Sequence, residues 1–367
     1  MRLFPRLSIE LGLVGDALWY DADGAVLIAS GAREGALIQA ASGHVIARGR
    51  GVPRGRHAFS RGGVRVALGG NELRVLAVAT GTLEQVHDTS ALGAIADVAL
   101  SPDASLAAAI NANGMLTLLE LPSGRRRFTL GGVVTRDNWS RRTAHHGASF
   151  DDEGKRLLTF GTTVDSTWGV AAHHGLPDEI DEIEDFTTVW AVDTGSEITT
   201  EGAARSRHET CTPTARWVRG SDVVLATRLG RFFSVLRPDL TSVADGYSED
   251  GIREVHMTSD GRGVVCVDEE GVATWFSADD DCRVLARREA EADPLNGFGL
   301  PTAAGESPPL VRVFARSGEI VVESWPAPTI VARAPGTARR LAVRPHSRGR
   351  SFATLDEGRV TLWEVLE

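Results

Sequence analysis

The chain has 367 residues, of which 42% are hydrophobic and 24% charged, and its formal net charge is −10. That balance belongs to folded chains, not to disordered ones, and the negative charge argues against broad nucleic-acid binding, which needs a basic surface to displace counterions from phosphates. The three cysteines, Cys211, Cys266 and Cys282, are too few and too scattered for a disulfide framework or a zinc ribbon, and read as reduced thiols of a cytoplasmic protein.

From the N-terminus, residues 1–15 carry Arg2, Arg6 and Glu10 and no apolar run of signal-peptide length. No later stretch approaches the roughly 20 apolar residues of a spanning helix, so no membrane association is expected. Leu3 to Leu11 has strand character. A repeated unit then begins. Each copy has an apolar strand, an acidic or glycine turn, a second strand rich in Ala, Val and Leu, a turn ending in Gly, a third strand, a Thr-Gly or Ser-Gly turn, and a more polar fourth strand.

The first turn reads Asp21-Ala22-Asp23-Gly24, then Ser101-Pro102-Asp103-Ala104, Asp151-Asp152-Glu153-Gly154 and Thr258-Ser259-Asp260-Gly261. Gly43, Gly81, Gly124 and Gly195 each follow a third strand, where a tight turn calls for φ > 0. Short apolar runs such as Ala107-Ala108-Ala109-Ile110 and Val264-Val265-Cys266-Val267 are bounded by turn residues within about eight positions, too short for typical helices and suited to strands covered on both faces. Copies fall at 15–50, 53–89, 93–131, 143–201, 211–246, 250–289, 292–334 and 336–366. The last ends on its third strand, and Leu3 to Leu11 would supply the missing one. Repeats of about 40–45 residues with four strands each are those of propeller blades. The expected fold is all-β: residues 1–367 as a single closed β-propeller of four-stranded blades, with eight blades favoured over seven and the ring closed by the N-terminal strand.

These turns and strand ends resemble those of the WD-repeat propellers. The family's Trp-Asp dipeptide is degraded here; Trp190, Trp275, Trp325 and Trp363-Glu364 occupy its position or lie near it, and Arg56-His57 is the nearest relic of the Gly-His dipeptide. Quinoprotein-like propellers share the generic pattern. The resemblance implies a partner-binding scaffold, without fixing a function.

Two insertions interrupt the fourth copy, at 133–143 and at 162–186. The first is basic, with Arg136, Trp139, Arg141 and Arg142. The second holds Trp168 and an acidic run with Asp178, Glu179, Asp181, Glu182, Glu184 and Asp185. Strands of a blade alternate in direction, so both insertions are expected as neighbouring loops on the face that the family resemblance calls the top. Long loops in compact domains are often functional. The expected role is a non-catalytic scaffold or regulatory subunit presenting these loops to another protein, within a microbial signalling or defence system.

The alternative is a metal-dependent enzyme or sensor using the histidines of the fourth copy or the central channel. His145, His146, His173, His174, His208 and Cys211 would converge on the same face and could supply nitrogen and sulfur ligands to zinc, although their spacing matches no recognised ligand motif. No nucleophile elbow, His-Glu-x-x-His, Walker loop or dinucleotide fingerprint is present, so neither a catalytic residue nor a cofactor is expected.

Overall fold

The computed structural model describes residues 2–366 apart from short turns and longer stretches at 50–56, 168–178, 206–212, 289–295, 300–309 and 344–350. Its described elements are antiparallel sheets. Four-stranded sheets span 15–49, 57–88, 95–130, 214–247, 252–288 and 296–335, each in simple sequential order. A further one joins Arg2–Glu10 to Arg359–Leu366, Ser351–Asp356 and Arg340–Val343.

The remaining sheet, 132–205, is built differently. Its strands are Gly132–Arg136, Trp139–Phe150, Arg156–Thr167, Glu179–Ala191 and Glu197–Arg205, in that order. The expectation of eight four-stranded blades joined in a closed ring is therefore corrected. Seven sheets are four-stranded, the 132–205 sheet has five strands, and every sheet is open, with none closed on itself. The physical reason is local. Residues 132–136, read as loop, are β-branched in part and hydrogen-bond as an edge strand to Trp139–Thr143.

Contacts divide the chain into two compact units, Met1–Leu68 with Val75–Glu84 and Glu254–Glu367, and Gly69–Arg74 with Gln85–Arg253. In the first unit the N-terminal strand pairs antiparallel with the C-terminal one, Leu3 opposite Val365 and Ile9 opposite Val360. The ladder continues past the strand, where Leu11 N donates to Gly358 O at 2.8 Å. The apolar run Val26 to Ala29 faces two ways. Leu27 and Ala29 pack against Ala353, Leu355 and Leu362, whereas Val26 and Ile28 pack against Val66, Leu76 and Val78. Burial on both faces is why these strands read as continuous apolar runs.

The second unit repeats that arrangement. Leu106, Ala108 and Ile110 meet Leu157, while the next residue of that strand, Leu158, packs with Val189 against Ala215, Trp217 and Val224. Turn side chains complete the ladders. Asp151 Oδ1 accepts from the backbone N–H of Lys155 and Arg156 at 2.8 and 3.1 Å, and Ser101 Oγ accepts from Leu106 N at 2.9 Å. Gly43, Gly124 and Gly195 all sit at φ near 70° (71, 68 and 68), each donating its N–H to the carbonyl four residues back. One turn type thus recurs in three sheets, where the sequence places Ser-Gly and Thr-Gly.

Candidate functional site

The 132–205 sheet is ordinary at one end and extended at the other. Its strands run 12, 12, 13 and 9 residues where those of the 95–130 sheet run 6, 6, 5 and 5. The hydrogen bond from His145 N to Gly114 O, 2.8 Å, marks the level of the neighbouring sheet's turn. Residues 139–144 and their partners lie beyond it. Six extra residues at about 3.3 Å each add roughly 20 Å of sheet.

Both insertions are therefore strands over their described parts, not loops. Pairing across the extension is continuous. Arg141 is opposite Asp165, and Asp165 is opposite Glu182; one step along, Arg142 is opposite Val164, and Val164 is opposite Ile183. Val133 of the edge strand lies opposite Arg142. Strand Arg156–Thr167 carries no bulge of its own, so its alternation holds throughout. Asp165 shares its face with Leu157, which packs toward the 95–130 sheet. Val164 shares its face with Leu158, which packs toward the 214–247 sheet.

The two faces differ in charge. On the first, Arg141 binds Asp165 through two hydrogen bonds, Nε to Oδ1 at 2.8 Å and Nη2 to Oδ2 at 2.7 Å. That bond holds the Asp165 carboxyl below the usual aspartate range and raises the guanidinium above its own. Glu184 and Glu182 add to the field around Arg141 from the same face. On the second, Arg142 is exposed and has no carboxylate partner among the described residues. It lies between Val133, 64% exposed, and the half-buried Val164 and Ile183.

The residues singled out from sequence are thus partly brought together. Arg141, Arg142, Glu182, Glu184 and Asp185 occupy one continuous sheet, with Asp185 buried and the others at least partly exposed. Arg136, Trp139, Glu179 and Asp181 lie on its strands by backbone position. Trp168, Asp178, His173, His174, His208 and Cys211 fall outside the described residues.

His146 is the extra residue of a bulge between His145 and Gly147, and the two histidines have different surroundings. His145 is 3% exposed and meets the Phe186 ring edge-on at 5.2 Å. Burial and the adjacent His146 push its pKa down to about 4, and Nδ1 has no hydrogen-bond partner. His146 Nε2 lies 2.9 Å from Thr162 Oγ1, which donates to Asp185 Oδ1 at 3.3 Å. With the threonine hydrogen committed to the carboxylate, Nε2 carries the donor hydrogen. Among the described residues no three or more His, Cys, Asp or Glu side chains are grouped to hold a metal ion.

Sequence reading missed Asp165, Val133, Val164 and Ile183. The usable signal was the β-branched run Thr162-Thr163-Val164, which favours strand.

Two further hydrogen bonds bear on the fold. Trp190 Nε1 donates to Thr159 Oγ1, and Trp363 Nε1 donates to Thr354 Oγ1, both at 2.9 Å. Each tryptophan is opposite the residue two before its threonine, Leu157 and Phe352 respectively. At the same register three other sheets place an aliphatic residue over alanine: Ile38 opposite Leu27 with Ala29, Leu119 opposite Ala107 with Ala109, and Leu236 opposite Val224 with Ala226. Trp275 is not equivalent. It is opposite Val265, and Phe276 holds the tryptophan register opposite Val264. Trp275 consequently faces the other way, over Gly263, whose missing side chain leaves room for the indole.

A pocket of about 390 Å³ lies beside Trp363, lined by Ser8, Thr337, Thr354, Asp356 and Arg359 among others.

Similarity to solved structures agrees with this geometry. The C-terminal WD40 domain of Sif2 superimposes with a TM-score of 0.64 at 12% identity, covering 100% of this chain and 99% of that one. BamB from Moraxella catarrhalis gives 0.62 at 14% identity, covering 99% of both chains. The β-propeller domain of Myceliophteria thermophila Cps50 (Swd1) gives 0.52 at 12% identity, covering 98% of this chain and 99% of that one. The fold these structures share with the chain is the β-propeller. No protein-family model matches the chain, and no curated protein sequence matches it.

Proposed function

We propose that this chain is a non-catalytic scaffold or regulatory subunit that engages a protein partner through the extended end of its 132–205 sheet. The observation that carries this reading is the extension itself. About 20 Å of sheet stands beyond the neighbouring turn and keeps Arg142, Glu182 and Val133 exposed. Ordering so many residues costs backbone entropy that exposed surface does not return, so the segment has a use other than stability. A cytoplasmic setting suits the three scattered cysteines.

The register supplies the test. Gly132 is opposite Thr143, and Thr163 is opposite Glu184. Replacing 133–142 and 164–183 each by Asn-Gly should close two hairpins and leave the regular half of the sheet intact. The shortened protein is expected to fold and to lose the proteins that the full chain captures from lysate of its source organism. Capture of the same proteins by the shortened chain would refute the proposal.

A further inference from the structure

Arg141 and Arg142 are adjacent, and the strand's alternation sends them to opposite faces. Their environments make those faces unlike. Arg141 is neutralised by Asp165 at 2.7 and 2.8 Å, with Glu182 and Glu184 nearby. Arg142 is matched instead with Val133 on one side and Val164 and then Ile183 on the other, so one cationic group stands in a row of branched aliphatic side chains. Val133 is 64% exposed and Arg142 is exposed, so the row is open to solvent where they lie.

The chain as a whole carries a net charge of −10, and among the described side chains of the extension Asp165, Glu182 and Glu184 stand on the other face while Asp185 is buried. Among the described residues, the face with Arg142 is the one that offers an unneutralised positive charge beside apolar surface. Its chemical complement carries carboxylates and aliphatic side chains together.

We propose that the Val133–Arg142–Val164–Ile183 face takes an acidic, aliphatic segment of a protein partner, with a carboxylate on Arg142 and branched side chains against Val133 and Ile183. This rests on the extension being the binding surface and adds what the surface selects. A guanidinium–carboxylate contact supplies directional charge-assisted hydrogen bonds, and the flanking methyl groups lower the local dielectric and strengthen them.

The test uses random peptides displayed on phage, selected on the full chain and counter-selected on the variant shortened at 133–142 and 164–183. Enriched peptides should combine Asp or Glu with Leu, Ile or Val. Arg142→Glu should weaken their binding roughly 10- to 100-fold, as expected for a hydrogen bond to a charged group, while Arg141→Ala should leave it within about threefold. Peptides that are basic or neutral, or that bind Arg142→Glu unchanged, would overturn this inference and leave the extension as the binding surface. Peptides retained equally by the shortened chain would overturn both.

Discussion

Trp190 donates its indole N–H to Thr159 at 2.9 Å, and the same bond joins Trp363 to Thr354 at 2.9 Å in the sheet that unites the chain ends. Where the bond is absent, both members change together. Leu236 and Ala226, or Ile38 and Ala29, fill the site without any polar atom. At this position donor and acceptor are kept or lost together, since leaving either alone costs more than the bond contributes.

Thr159→Val should therefore cost about 1–3 kcal/mol, the penalty of an unsatisfied buried donor. Thr159→Ser should recover most of it. Urea unfolding midpoints at constant m-value are the measurement. Equal stability of Thr159→Val and the parent would mean the indole finds another partner.

Gly161 marks where the regular half of the sheet meets the extension. A Cβ there would lie 2.1 Å from Ala144 O and 2.7 Å from the Phe186 ring. The carbonyl is backbone and cannot step aside, so Gly161→Ala should loosen the extension. Amides of 139–145 and 180–186 are expected to exchange faster in the variant, with those of 106–111 unchanged.

Arg141 and Asp165 form the best-made ion pair of the extension, yet the arginine side chain is 49% exposed. Exposed pairs contribute about 0–1 kcal/mol, even with two hydrogen bonds, because solvent screens them. Asp165→Asn should move the thermal midpoint by only a few degrees. A large loss would place the pair in a drier environment than its exposure indicates.

His145 predicts a pH dependence. Its folded pKa is lowered from 6.5 to about 4 by burial and by His146. The unfolded chain therefore takes up a proton that the folded chain refuses. Stability is unaffected above pH 6.5, falls between pH 6.5 and about 4, and levels off below. The slope is about 1.4 kcal/mol per pH unit for one proton. His145→Phe should flatten this part of the profile, read as the difference between variant and parent in urea midpoints at pH 7 and pH 4.5. Parallel profiles would assign the acid sensitivity to other groups.

Much of the repeated architecture was legible because the turns are spelled in residues with a mechanical reason to be there. Asp151 caps two backbone N–H groups, and Gly195 takes φ 68°. The N-terminal strand was legible because the last copy lacks a fourth strand. The extension was not, for a physical reason. A bulge at Asp181 puts Ile180 opposite Ser166 and Ile183 opposite Val164, so residues three apart take positions on one face. That spacing breaks the period of two by which a strand is recognised, and the intervening carboxylates make the segment look like a solvated loop. Trp275 misled in a similar way. One residue of offset from Phe276 turns it to the opposite face, which composition cannot reveal.

We assign partner binding to the extended end of the 132–205 sheet. Hydrogen exchange of the full chain, with and without a partner captured from lysate, measures this directly. New protection is expected in 132–143 and 162–186, with the amides of 15–49 and 351–366 unchanged. Protection confined to other sheets, with the extension exchanging as it does alone, would contradict the account.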